Sequence, residues 1–303
     1  MSDSDIQLGI GISRLDTVAQ SAQNAEKLGY DFVGTGEHVF FYGPISNGLI
    51  SLAAAAGATQ RIQLMSTITL LPLYPPALLA KQVATLDFVS NGRFHLGVGV
   101  GGEFAKEFEA CGVPVKERGR RTNEILHILE QLFTGESVDF QGDFYTMPGV
   151  TLDPAPRQIV PTWISGRSEA AMDRCARYGT GWLPYMYTPE QLDRSLDFIQ
   201  TRAEEYNRNP VRPGQFIFFA VHEDRDTAIQ MASDRLSKQY NQDFSKLVHK
   251  YAVAGNPDDC VARLNEYVEA GARTFMLNSA CPSSYTADNE KLMAEQVLPK
   301  FKN

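Results

Sequence analysis

The sequence predicts an α/β fold, a single (β/α)8 barrel of the TIM type taking in residues 1–303. Three observations carry that expectation. Short apolar runs rich in branched residues alternate with longer stretches of helical period, as in βα units around a parallel sheet. The runs number eight, the count that closes such a barrel. They are also spread evenly, with no linker, repeat or low-complexity tract between them. An open doubly wound sheet would alternate in the same way, but even spacing over the whole length favours closure. A barrel with insertions reaches this length as one unit.

In chain order, a strand over 6–12 leads to a helix over 16–28, which ends at Gly29, where a left-handed residue costs glycine little. A second strand over 31–36 precedes a helix over 49–59, and a third strand over 62–69 precedes a helix over 76–89. The last begins at Pro76, tolerated in a first turn because its missing N–H has no helical partner there. The fourth strand covers 93–100, followed by a helix over 122–133. Residues 137–158 break the rhythm with Phe140, Phe144 and Tyr145 around Gln141-Gly142-Asp143, then Pro148, Pro154 and Pro156. They predict a small hairpin and a proline-stiffened loop inserted before strand 5. Strand 161–165 and helix 169–178 follow, then strand 181–184. Thr188-Pro189-Glu190-Gln191 supplies an N-cap, a first-turn proline and a Gln three residues past the cap, which starts a helix over 189–207. The chain closes with strand 215–221, helices over 226–251 and 257–270, strand 273–277 and a helix over 289–301.

Composition narrows the function classes. The chain is 43% hydrophobic and 21% charged, ordinary for a folded globular protein. A net charge of −8 argues against nucleic acid as a partner, because neutralising phosphates calls for clustered Lys and Arg. Cys111, Cys175, Cys260 and Cys281 form no CxxC pair, which predicts reduced thiols in the cytoplasm. The opening MSDSDIQLGIGIS lacks a basic region followed by an apolar stretch, so no signal peptide is expected, and no apolar run approaches the ~20 residues that span a bilayer.

Metal chemistry is not signalled, since His38, His95, His127, His222 and His249 include no HxH or HExxH pair. A GxSxG nucleophile elbow is absent too. The run Gly97-Val98-Gly99-Val100-Gly101-Gly102 formally matches GxGxxG, but its glycines begin inside the fourth strand and no acidic strand end follows at the right distance. Gly97 and Gly99 are expected instead to let a flat ligand lie close to the backbone, or simply to fit a crowded rim. Ser165-Gly166-Arg167-Ser168-Glu169 leaves the fifth strand and enters a helix. A glycine turn, a serine cap and free first-turn N–H groups would receive a phosphate there, with Arg167 adding charge.

Several segments together resemble the bacterial-luciferase-like family of flavin- or F420-dependent oxidoreductases. Leu86-Asp87-Phe88-Val89-Ser90-Asn91-Gly92-Arg93-Phe94-His95-Leu96-Gly97-Val98-Gly99 is similar to that family's LD-x-x-S-x-GR-x-x-x-G-x-G segment. Gly34-x-Gly36-Glu37-His38, Gly166-x-Ser168-x-x-Ala171, the run from Ala176 to Trp182, residues 70–81 with Pro72, Tyr74 and Pro75, and Glu117-Arg118-Gly119-Arg120-Arg121 extend the likeness along nearly the whole chain.

The resemblance implies a cofactor phosphate on the Gly166–Glu169 loop and a ring system across the C-terminal strand ends. It implies a bulged third strand with a non-proline cis peptide behind the ring, at Thr67-Ile68. It places an acid–base histidine at His38; the adjacent Glu37 is expected to orient that ring, or else to be solvated or paired with an arginine. Trp182 and Tyr185 are expected to line the substrate pocket, with buried aromatics packing the rim as the equal alternative. Some relatives carry an arginine where this chain has Val100, so that arginine's help with the phosphate does not carry over. The expected function is monooxygenation of a small organic substrate with reduced FMN, supplied by a separate flavin reductase. The alternative is hydride transfer with coenzyme F420, and a more distant one is a flavin-binding protein without turnover. FMN is favoured over F420 because no cluster of Lys or Arg beside Arg167 is visible in the sequence to receive the carboxylates of a longer tail. A homo-oligomer is expected by the same likeness.

Overall fold

Eight parallel staves close on one another in the computed structural model, which describes residues 5–12 and 14–302. In order the elements are β1 (Gln7–Gly11), α1 (Val18–Leu28), β2 (Phe32–Thr35), α2 (Gly48–Ala58), β3 (Gln63–Ser66), β4 (Thr69–Leu70), α3 (Pro76–Ser90), β5 (Phe94–Gly99), α4 (Ala105–Ala110) and α5 (Arg118–Leu132). There follow the hairpin β6 (Ser137–Gln141) and β7 (Thr146–Thr151), then β8 (Thr162–Ile164), α6 (Glu169–Tyr178), β9 (Gly181–Trp182), α7 (Pro189–Glu205), β10 (Arg212–Val221), α8 (Arg225–Tyr240), α9 (Val248–Tyr251), β11 (Ala252–Gly255), α10 (Pro257–Glu269), β12 (Thr274–Ser279) and α11 (Thr286–Leu292). The barrel runs β1-β2-β3-β5-β8-β9-β10-β12 and returns to β1, with β4 continuing the third stave against β5. Residues 1–4, which open the segment read as lacking a signal peptide, lie outside the described residues. Among the described residues no helix is long and apolar enough to cross a membrane.

Large side chains inside the barrel face glycines. Phe32, Met65, Trp163, Leu183 and Met276 form the inner cluster. A Cβ on Gly9 would lie 2.5 Å from the Met276 sulfur, and one on Gly181 would lie 2.4 Å from the Trp163 ring. These glycines are therefore set by packing volume. Outside, the apolar faces of most helices cover the staves in one large core, and a second, smaller cluster packs Ala232 and Leu236 of α8 with Phe244, Val248 and Ala252.

The LD-x-x-S-x-GR segment has a structural account. Arg93 is buried and donates to the carbonyls of Ser90, Ile62, Ala56 and Thr59 and to the Thr59 hydroxyl, stitching the ends of α2 and α3 to the start of β5. Asn91 takes a left-handed conformation at φ 57° to end α3, and the Asp87 carboxylate accepts the Arg157 N–H from the insertion.

Some boundaries differ from those expected. The helix predicted over 226–251 stops at Tyr240, because Asn241 adopts φ 48° and caps α8; the chain then makes α9 and an extra parallel strand, β11, against the end of β10. The sixth stave is regular strand over only Gly181–Trp182 of the predicted 181–184; beyond it Leu183 still donates to the Ile164 carbonyl and Tyr185 bridges Phe216, but Pro184 between them has no N–H to give. The helix predicted from 122 begins at Arg118, and α4 was not foreseen. At the C-terminus the chain enters α11 at Thr286 and passes through a π turn at Met293–Val297 before a 3-10 turn at Leu298–Lys300.

Candidate active site

A cavity of about 1330 Å³ opens at the C-terminal ends of the staves, where barrel enzymes keep their chemistry. Its floor is made by the third stave. The ladder pairs Met65 with His95 but Thr69 with Val98, so one extra residue is accommodated between them. The Thr67-Ile68 peptide inside this bulge is cis, in the place where a distorted peptide was expected, and both side chains line the cavity. The Ser66 hydroxyl bridges the break, donating to the Gly97 carbonyl at 2.8 Å and accepting the Gly97 N–H at 2.9 Å.

The two rim glycines serve the bulge. A Cβ on Gly97 would sit 1.9 Å from the Ser66 carbonyl oxygen, and one on Gly99 2.0 Å from Ile68 Cδ1. Gly99 borders the cavity while Gly97 lies beneath it, so the close approach expected of a ligand at Gly97 is made by the protein's own backbone.

The βα loop after β8 is built as the sequence suggested. Gly166 turns at φ 122°, where an L side chain would be strained. Ser168 caps α6 by accepting the Ala171 N–H at 3.3 Å. Gly166, Arg167, Ser168, Ala170 and Ala171 line the cavity, whereas Glu169 is exposed and stands apart from it. Trp182 is a correction to the expected substrate pocket. It is fully buried and donates its Nε1–H to the Gly166 carbonyl at 3.1 Å, so it supports the loop from below. Tyr185 does line the cavity, beneath the Arg167 guanidinium at 4.9 Å and donating to Glu103 at 2.7 Å; burial, with help from Glu103, pushes its phenol well above the ordinary value.

His38 and Glu37 separate in space. The Glu37 carboxylate is buried and accepts the N–H groups of Leu70 and Gly48 and the Tyr74 hydroxyl, with no hydrogen bond to His38. Burial raises its carboxyl above the usual value against the pull of those donors. The partner of His38 is Glu107 on α4, which sequence inspection did not single out. Its carboxylate, 0% exposed, meets His38 Nδ1 at 3.0 and 3.2 Å and accepts the Val39 N–H at 3.1 Å. Glu107 lies 69 residues from His38 in a helix too short for a periodic signal, and nothing in its local sequence marked it.

Basic residues gather where only Arg167 was expected. Lys116, Arg118, Arg167, Arg174 and Lys238 all line the cavity. Arg174 reaches back from α6 to the Asn123 side chain at 2.7 Å. Arg118 spends one terminal nitrogen on the Val115 carbonyl, and its Nε is buried without a partner. These five come from four separate segments, which is why no cluster beside Arg167 was visible along the chain.

The sequence model of the luciferase-like monooxygenase family matches residues 2–274. Among curated relatives, an uncharacterized protein of Mycobacterium tuberculosis is 33% identical over 191 residues, 63% of this chain and 65% of that one. The F420-dependent glucose-6-phosphate dehydrogenase of Amycolatopsis mediterranei is 26% identical over 94% of each chain. Among solved structures, the monooxygenase RslO1 from Streptomyces bottropensis superposes with a TM-score of 0.87 at 26% identity, covering 98% of this chain and 100% of that one. With the barrel, the bulged third stave and the capped loop after β8 all in place, this chain belongs to the luciferase-like monooxygenase family.

Proposed function

We propose that the chain binds the deazaflavin F420 and transfers a hydride between it and a small organic alcohol or its carbonyl product. The carrying observation is the set of five cationic side chains around one cavity in a protein of net charge −8. FMN presents a single terminal phosphate, which the start of α6 with Arg167 would satisfy. F420 continues past its phosphate into a tail of carboxylates, and Lys116, Arg118, Arg174 and Lys238 supply cations for such a tail. The unpartnered Arg118 Nε fits an anion at this wall, because a buried donor without a partner is costly. The premise that favoured FMN, the lack of such a cluster, does not hold in three dimensions.

When bound, the deazaflavin supplies the hydride acceptor. The proton of the substrate hydroxyl needs a separate destination, and His38 offers one: Glu107 occupies Nδ1, leaving Nε2 for the substrate. Glu107 fixes the ring and would balance the charge that the imidazole gains. The F420-dependent relative supports this reading. A second reading, monooxygenation with reduced FMN, draws on the likeness to RslO1 and on the α6 start, which alone suits one phosphate.

Anaerobic titration of the protein with F420 and with FMN, each oxidised and reduced, separates the two. Tighter F420 binding that weakens steeply with salt, and turnover without oxygen, are the expected results. Tighter FMN binding with oxygen-dependent product would establish the second reading, and binding without any turnover would make the chain a carrier.

A further inference from the structure

We propose that the part of the cavity beside His38 takes a neutral, largely apolar substrate bearing a ring, selected by Phe41, Tyr42 and Ile45. This rests on His38 as the proton acceptor and adds the class of molecule that reaches it.

His38 is approachable from few directions. Nδ1 is held by Glu107, and the Phe41 ring stacks on one face of the imidazole, centroids 4.0 Å apart and planes 15° from parallel. A hydroxyl meeting Nε2 therefore brings the body of its molecule alongside Phe41. The apolar wall continues outward, with Phe41 edge-on to Tyr42 at 5.0 Å and Tyr42 edge-on to Phe104 at 5.6 Å. Offset and edge-to-face surfaces of this kind favour another ring.

The wall faces water. Tyr42 and Ile45, which line the cavity, are 78 and 38% exposed, and Val39 and Phe40, beside the lining in the same loop, are each 52% exposed. Four of the eleven large exposed hydrophobics among the described residues thus fall within seven consecutive positions, and two of them, Tyr42 and Ile45, lie on the cavity lining, a concentration that suits a ligand surface rather than scattered exposure. The segment is also held in place, since Glu107 accepts the N–H groups of Val39 and Phe40 and the Ser46 hydroxyl donates to the Gly36 carbonyl. A surface already ordered loses less entropy when a ligand settles on it.

Charge points the same way. No residue from Val39 to Gln60 is charged, and the cavity's cations all come from other segments. Glu37, the acid nearest in sequence, has its carboxylate occupied by three donors. A phosphorylated sugar laid along this wall would lose hydration without gaining a cation, whereas an apolar ring would gain by burial.

Calorimetric titration of the purified protein with menthol, a neutral ring alcohol, and with glucose 6-phosphate tests this without relying on turnover. Menthol is expected to bind at least about tenfold more tightly than the sugar phosphate. Tyr42→Ser is expected to weaken menthol binding by about three- to tenfold, the scale of an aromatic contact, while leaving F420 affinity and the thermal midpoint unchanged. Because Tyr42 is largely exposed, this variant keeps the fold even where Phe41→Ala disturbs His38. Tighter binding of glucose 6-phosphate, no binding of menthol, or menthol binding indifferent to Tyr42→Ser would each overturn the proposal. Failure of F420 to bind would instead remove the hydride-transfer reading and leave the menthol result standing by itself.

Discussion

His38 holds a buried carboxylate at Nδ1 and lines the cavity, and this arrangement sets the behaviour expected of its variants. His38→Ala should lower turnover by about 10²-fold or more, the usual scale of acid–base assistance, while cofactor affinity stays within a few-fold. Glu107→Gln keeps the shape of the carboxylate but loses its charge, so it should lower kcat with little change in cofactor affinity. The two residues form one unit. The double variant should therefore be no slower than His38→Ala alone, and additive losses in steady-state kinetics would mean that Glu107 serves only to hold α4 against the Val39 backbone. Glu37 is expected to behave differently, its removal stranding the N–H groups of Leu70 and Gly48 and lowering stability before it touches chemistry.

At the scale of the element, the third stave is where local geometry is most tightly specified. Gly97→Ala would place a methyl 1.9 Å from the Ser66 carbonyl oxygen, and neither strand can retreat without disturbing the bulge that carries Thr67 and Ile68. A loss of about 3 kcal/mol or more is expected, at the upper end of overpacking costs, together with weakened cofactor binding. Gly57→Ala is the matched control. Gly57 lies near the end of α2 with open space around its Cα, so alanine there should stabilise the protein by up to about 1 kcal/mol. Thermal unfolding of the two variants should move in opposite directions, and equal losses would show that the clash at Gly97 is relieved by movement.

Across the whole molecule, two groups outside the cavity lining shape stability against pH. His95 is buried in the barrel and accepts the Trp163 Nε1–H at 3.1 Å; burial, then repulsion from Arg212, depress its pKa to about 4. The folded state holds it neutral, so its contribution is present above its ordinary value near 6.5 and is lost as pH falls towards 4. Glu290 on α11 works in the opposite sense. Burial raises its carboxyl to about 7, so its contribution is complete below 4.5 and is lost as pH rises through 7. Glu290→Gln should accordingly match the wild type below pH 4.5 and exceed it above pH 7 by about 1–3 kcal/mol. Denaturant unfolding across that range checks the sign, and equal stability at high pH would mean that the carboxylate is solvated when charged.

The family resemblance implied the place of the distorted peptide at Thr67-Ile68; the sequence by itself determined the barrel, the hairpin before the fifth stave and the capped glycine turn at Gly166–Ser168. Each is written in short range, as apolar periodicity, a capping serine, a turn glycine or a contiguous motif. Tertiary structure alone decided the partner of His38, the side of the backbone that Trp182 faces, the atoms that crowd Gly97, and the gathering of Lys116, Arg118, Arg167, Arg174 and Lys238 around one cavity. Local order fixes which residues become helix or strand because those preferences act between neighbours a few positions apart. Side chains tens of residues apart meet only once the barrel has closed, and their spacing along the chain carries no record of that meeting.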